Sequence, residues 1–179
     1  MSAALADLEV LILDCQATGP KPGKGHLLEI GWIRTQACKA ARLSSLQPHS
    51  FVVSLPTGAE IPKQVSKVTG IVEEDLAEGV SPLDAWRQVV AEAGRIMAKQ
   101  DEFACPTVIH FARYEEPYLR HLHDHVSGGT RFPLDIICSW EIVRRLLPQL
   151  PRRGLRAVSG YLGHSVPERR RSAHHVVAT

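Results

Sequence analysis

The sequence predicts a one-domain α/β fold, on three observations. Short apolar runs bounded by Gly and Pro, such as Val10-Leu11-Ile12-Leu13 ahead of Thr18-Gly19-Pro20, have the length of buried strands rather than free-standing helices. A longer segment of helical period runs from Ser81-Pro82 to about Lys99, with strand-like runs on either side. A length of 179 residues suffices for one domain with a proper core and is short for two, so residues 1–179 are read as a single unit.

Each element has its own signal. Met1 to Asp7 is an Ala-rich lead-in with the character of a frayed terminus. Leu8 to Ala17 is the first strand, and because side chains alternate across it, Asp14 and Gln16 leave one face at its C-terminal edge. An acid placed there can meet a ligand. The loop Pro20-Lys21-Pro22-Gly23-Lys24-Gly25 leads to a second strand, Leu27 to Thr35, and Ser50 to Leu55 alternates weakly as a third, completing an antiparallel meander. Between Ile61 and Ile71, Pro62 opens a helix and Gly70 ends it, with Val65 and Val68 on one face. The helix from Ser81-Pro82 spaces Leu83, Trp86, Val89, Val90, Ala93 and Met97 along a core-facing stripe. Thr107 to His110 is a further strand, and the chain turns at Phe111 into a helix carrying Tyr118, Leu119 and Leu122. Leu134 to Ser139 is the last strand, Trp140 to Leu147 a helix stopped by Pro148, and Arg153 to Leu162 a helix ended by Gly163.

Composition narrows the functional classes. Hydrophobic content of 44%, charged content of 22% and no apolar run of membrane-spanning length describe a globular chain without a membrane partner. No basic-then-apolar leader opens it, so the expected location is cytoplasmic. Cys15, Cys38, Cys105 and Cys138 lack the paired spacing of a zinc site and read as reduced core thiols. His121-Leu122-His123-Asp124-His125 sets histidines at i and i+4, but cationic side chains are expected at a helix end, so metal binding is the weaker reading there. Net charge is +2, yet eight arginines (Arg144, Arg145, Arg152, Arg153, Arg156, Arg169, Arg170, Arg171) face one acid, Glu168, between Arg144 and Arg171. Such a run suits phosphate contact, Arg152 and Arg153 in particular, and a solvated surface is its plain alternative.

Three stretches, taken in order, carry a family resemblance. Leu13-Asp14-x-Gln16-x-Thr18-Gly19 followed by Leu28-Glu29-Ile30-Gly31 resembles the first motif of the DEDDh 3′-5′ exonucleases, Asp-x-Glu-x-Thr-Gly and an Ile-Glu-Ile-Gly-like strand, with Gln16 in place of the glutamate. His110-Phe111-Ala112-Arg113-Tyr114-Glu115 is similar to the second, His-Asn-Ala-x-Phe-Asp, with Phe111 for asparagine and Glu115 for aspartate. Ala173-His174 resembles the start of the third, Ala-His-x-Ala-x-x-Asp, which sets His174 on the histidine and Thr179 on the aspartate. Aligning His175 instead pushes the aspartate position one residue past the chain, and this alignment ranks second. The family includes the proofreading subunit of bacterial replicative polymerases.

The resemblance implies a ribonuclease H-like exonuclease fold, with a mixed central sheet of about five strands, an antiparallel meander then parallel strands, flanked by helices. It also implies two magnesium or manganese ions, Asp14, Gln16 and Glu115 in metal and catalytic positions, His174 as general base, and Asp14, Glu115 and Thr179 as metal ligands. Single-stranded DNA or RNA is then the partner, over the turn Thr18-Gly19-Pro20 and near Phe111, with a larger nucleoprotein complex or further domains of the polypeptide as additional partners. The family continues through the helix of the third motif, so the expectation is a domain cut within its last helix, or the N-terminal part of a longer protein.

The departures decide the chemistry. Hard divalent ions want anionic oxygen ligands, and only Asp14 and Glu115 keep a carboxylate. Each lost charge removes about 4 kcal/mol of attraction at roughly 4 Å and intermediate dielectric, before desolvation is subtracted. Two readings follow: a 3′-5′ exonuclease domain acting on single-stranded ends with weakened catalysis, or a catalytically inactive exonuclease fold serving as a nucleic-acid-binding or docking module.

Overall fold

The structure is a computed structural model describing residues 7–37 and 46–179. Of the lead-in only Asp7 falls within them, and Cys38 lies outside the described residues. A five-stranded sheet runs in the order β3-β2-β1-β4-β5. It is built from β1 (Glu9–Ala17), β2 (Leu27–Gln36), β3 (His49–Val52), β4 (Cys105–Ile109) and β5 (Leu134–Cys138). The first three strands pair antiparallel, and β4 and β5 add parallel to β1. This is the expected mixed sheet. The third strand, His49–Val52, is shorter than its sequence suggests; beyond it the Val53 amide still donates to the Leu28 carbonyl of β2 at 3.0 Å while Val53 also bridges Val80.

The helices are α1 (Lys63–Thr69), α2 (Glu73–Ala77), α3 (Pro82–Gln100), α4 (Ala112–Val126), α5 (Ser139–Leu146), α6 (Leu155–Tyr161) and α7 (Ser172–Ala178). Gly70 ends α1 with φ of 72°, the left-handed conformation that a C-terminal cap requires. The Ser81 hydroxyl accepts from the Asp84 amide and Pro82 opens α3, so that start was legible in the sequence. The short α2 was not foreseen. Five residues carry too little periodicity to be read, and its start rests on Asp75 reaching back to the Val72 amide.

Alternation along β1 divides the molecule. Leu11, Leu13 and Cys15 enter the main core with Trp86, Val89, Ala93 and Ile96 of α3 and Leu119 and Leu122 of α4. Of the six residues foreseen on the α3 stripe, Trp86, Val89 and Ala93 are buried and Leu83, Val90 and Met97 are partly so. Asp14 and Gln16 point to the other face, which α7 covers. The parallel register sets Leu13, Ile109 and Cys138 in one row. One residue farther on, Asp14, His110 and Ser139 therefore line the C-terminal edge of the parallel strands, the edge where open α/β sheets present their ligand sites.

What seats α7 on this edge is Glu29 of β2, fully buried. One of its oxygens accepts from Arg171 Nε at 2.9 Å and Nη2 at 2.8 Å, the other from the Ser172 amide at 2.7 Å. The carboxylate thus satisfies a free amide in the first turn of α7, where the helix dipole also favours an anion. Gly31, two residues along β2, leaves room for the contact: a Cβ there would stand 2.8 Å from Ser172 Cβ. We expect Gly31→Ala to push α7 off the sheet and to lower stability by about 1–3 kcal/mol in urea unfolding, as overpacking does. Glu29→Ala, which strands Arg171, is expected to cost about 3 kcal/mol in the same measurement.

Candidate active site

At the centre lies Asp14, 5% exposed. One carboxylate oxygen accepts from Gln16 Nε2 at 2.7 Å and the other from His175 Nδ1 at 2.9 Å. A carboxylate only accepts, so Nδ1 carries the proton in that bond. The Gln16 amide nitrogen, 3.4 Å from the same Nδ1, is then a neighbour of the ring rather than its donor. Both oxygens of Asp14 are occupied by donors of this chain.

Glu115, in the first turn of α4, enters the same pocket and accepts the Cys15 amide at 2.7 Å. Burial pushes its carboxyl well above the ordinary range, and the nearby Asp14 charge pushes further, only partly offset by the Cys15 amide. Burial likewise raises the Cys15 thiol, with Glu115, Asp14 and Glu29 adding to the effect, which keeps it an inert core group.

The structure parts the two histidines of the third motif. His175 meets Asp14, while His174 is exposed on α7. Thr179 Oγ1 donates to the His175 carbonyl at 2.9 Å, so its hydroxyl is turned onto its own helix. With His175 in the pocket, the fifth residue beyond it is position 180, outside the sequence. Of the first-motif and second-motif positions in the pocket, Gln16 is the one that puts an amide where the family has a carboxylate.

The turn foreseen as a binding element is rigidly tied. The Thr18 amide donates to the His26 carbonyl at 2.8 Å, the His26 amide returns a bond to Thr18 Oγ1 at 2.8 Å, and Tyr118 OH donates to the Gly19 carbonyl at 2.8 Å. Gly19 is obligatory, since a Cβ would lie 2.0 Å from the Lys24 carbonyl oxygen. Pro20 is exposed beyond it. In the sequence Tyr118 stands only beside Leu119 and Leu122 on α4. Its hydroxyl fastens the turn to α4, and nothing in the local pattern announces that role.

His110 fixes the other wall. Nε2 donates to the Arg153 carbonyl at 3.0 Å, which leaves Nδ1 of the neutral ring to accept from Ser139 Oγ at 3.0 Å. Arg153 Nη2 donates to the Pro148 carbonyl at 2.6 Å, closing residues 148–153 on themselves. Arg152, Arg145 and Arg156 are exposed around this loop. Two others of the run are structural, Arg171 binding Glu29 and Arg169 packing over Gly70, while Arg144 and Arg170 are exposed. Phe111, next to His110 in sequence, has φ of 65° and its ring edge-on to His110 with centroids 4.8 Å apart.

As a home for two divalent ions this donor set does not fit. It offers one carboxylate already accepting on both oxygens, a second carboxyl biased toward its protonated form, and a neutral amide whose nitrogen faces Asp14. The His121 and His125 rings lie 4.3 Å apart, but His125 Nδ1 is engaged with the His121 carbonyl. Among the described residues no group of three or more His, Cys, Asp and Glu side chains has metal-holding geometry, and no helix is long and apolar enough to cross a membrane.

A family model described as exonuclease, RNase_T, matches residues 11–175. No curated protein matches by sequence. Among solved structures, the zinc-bound form of E. coli exonuclease I with single-stranded DNA superposes with a TM-score of 0.68 at 14% identity, over 95% of this chain and 38% of that one. The same enzyme with a dA16 oligonucleotide gives 0.68 at 14%, over 96% and 39%. Exonuclease X with 5′-overhanging duplex DNA gives 0.60 at 16%, over 94% and 85%. The chain thus spans well under half of exonuclease I. At such identities the likeness establishes the fold, ribonuclease H-like as the motifs implied.

Burial holds the His110 pKa below its ordinary value of 6.5, with His175 lowering it further, against the Arg153 carbonyl and Asp14, which raise it. The unfolded chain then binds the extra proton first, so this contribution to stability is present above about 6.5 and is lost as pH falls below it. Urea midpoints should drop between pH 7.5 and pH 5, and the drop should shrink in His110→Gln.

Proposed function

The chain belongs to the exonuclease family that matches it over residues 11–175, and from that premise we propose that it engages single-stranded nucleic acid ends in the 3′-5′ exonuclease groove, with feeble hydrolysis. Members of this family generally use divalent metals, and the fold neighbours named above are complexes with DNA. The observation that carries the reading is the occupation of Asp14 by Gln16 and His175. Two protein donors stand where a family site directs its carboxylates at cations, so any ion there would share each oxygen of Asp14 with a hydrogen bond from this chain. His175 can hold a proton at Nδ1 toward Asp14, and in that pairing it cannot also accept one from water at the same atom.

Binding needs less than hydrolysis. The pinned turn Thr18-Gly19-Pro20 offers a fixed backbone surface, and the loop held by His110 carries Arg152 and Arg153 for phosphate.

The test uses end-labelled single strands with magnesium or manganese. The parent chain is expected to bind with an affinity that falls with salt and to shorten the strand slowly. Gln16→Glu, which restores an anionic ligand and removes one donor from Asp14, should raise manganese affinity at least about tenfold in calorimetry and speed shortening. Arg152→Ala with Arg153→Ala should weaken binding and flatten its salt dependence. Rapid magnesium-dependent shortening by the parent, unchanged by Gln16→Glu, would overturn the reading. So would an absence of strand binding at low salt.

A further inference from the structure

Phe111, Tyr114 and Trp140 belong to neither apolar core of the described residues. They gather instead at the N-terminal ends of α4 and α5, on the sheet edge that carries Asp14. Phe111 and Trp140 stack with centroids 5.5 Å apart and planes at 29°, and Tyr114 is tilted against Phe111 at 6.1 Å. Guanidinium groups are layered on them. Arg113 lies 4.7 Å from the Tyr114 ring, 5.6 Å from Trp140 and 5.8 Å from Phe111, and Arg144 lies 5.7 Å from Trp140. Tyr114 is 50% exposed, and Arg113 and Arg144 are exposed as well.

The backbone bears a cost to display this group. Phe111 has φ of 65° and ψ of 42°, a left-handed conformation that asparagine or glycine adopts readily and a bulky residue resists. The ring contributes nothing to either core that would offset the strain. Its contacts are the His110 edge, Trp140, Tyr114 and Arg113.

We infer that Phe111, Tyr114 and Trp140, with Arg113 and Arg144, form a stacking platform for the bases of a single strand whose end lies at Asp14. This rests on the nucleic-acid reading above. A base has an apolar π face that aromatic rings and guanidinium planes accept whatever its identity, and its phosphate is a partner for the same arginines. An acidic peptide would satisfy the arginines alone and leave the rings unexplained. The platform adjoins Glu115, one residue beyond Tyr114, so the strand would run from Asp14 across the ends of α4 and α5.

Intrinsic fluorescence gives a direct readout. Of the three tryptophans, Trp32 is 4% exposed and Trp86 is fully buried, so Trp140 is the one a ligand can reach. Titration of the full chain with a thymidine oligonucleotide is expected to quench it, and an abasic strand of equal length should bind more weakly and quench little. Phe111→Asn suits the local backbone, and should weaken oligothymidine binding about tenfold while leaving abasic binding unchanged. Trp140→Phe should keep affinity and abolish the quench. Arg113→Ala should lower the log–log salt slope by about 0.7. Equal binding of the oligothymidine and abasic strands, or oligothymidine binding without quenching, would overturn the platform and leave the nucleic-acid reading standing. No binding of either strand would overturn both.

Discussion

A carboxylate buried in a strand holds the site together. Glu29 would be costly to bury alone, and it is tolerated because Arg171 and the Ser172 amide satisfy both its oxygens. Both partners lie at the start of α7, so the burial of one charge places one helix. The helix has only seven residues and could not persist by its own propensity. Its position, and with it that of His175, is borrowed from β2.

That placement makes Asp14 a different kind of group from a metal ligand awaiting its ion. Donors from two elements converge on it, Gln16 from its own strand and His175 from α7. Glu115 sits nearby without a cationic partner, and burial together with Asp14 biases it toward the protonated form. The pocket is thus electrostatically self-contained. Around it Tyr118 pins the Gly19 turn, and His110 clasps the loop of Arg152 and Arg153.

Much of the fold was legible because it is written in local periods. Strand alternation placed Asp14 and Gln16 together, and the Pro-to-Gly punctuation bounded α1 as found. The short α2 escaped, since five residues hold less than two turns of pattern. The arginine run shows the limit of counting charges: Arg171 is spent on Glu29 and Arg169 on the end of α1, while Arg145, Arg152 and Arg156 stay in solvent. Trp140 read as an ordinary helix opener, because its significance lies in Phe111 and Arg113, which are remote in sequence.

The choice between His174 and His175 marks the boundary between the two kinds of information. That Asp14 stands at a strand edge was already readable from its neighbours through strand alternation, and the helix under the histidine pair was implied by the resemblance to the family's third motif. Which imidazole reaches the carboxylate was decided by tertiary structure alone. Consecutive residues on a helix diverge by about 100°, so the answer is the rotation of α7 about its axis. That rotation is set by Glu29 gripping the first turn of the helix and by Gly31 letting Ser172 settle onto the sheet, contacts that bridge more than a hundred residues of chain.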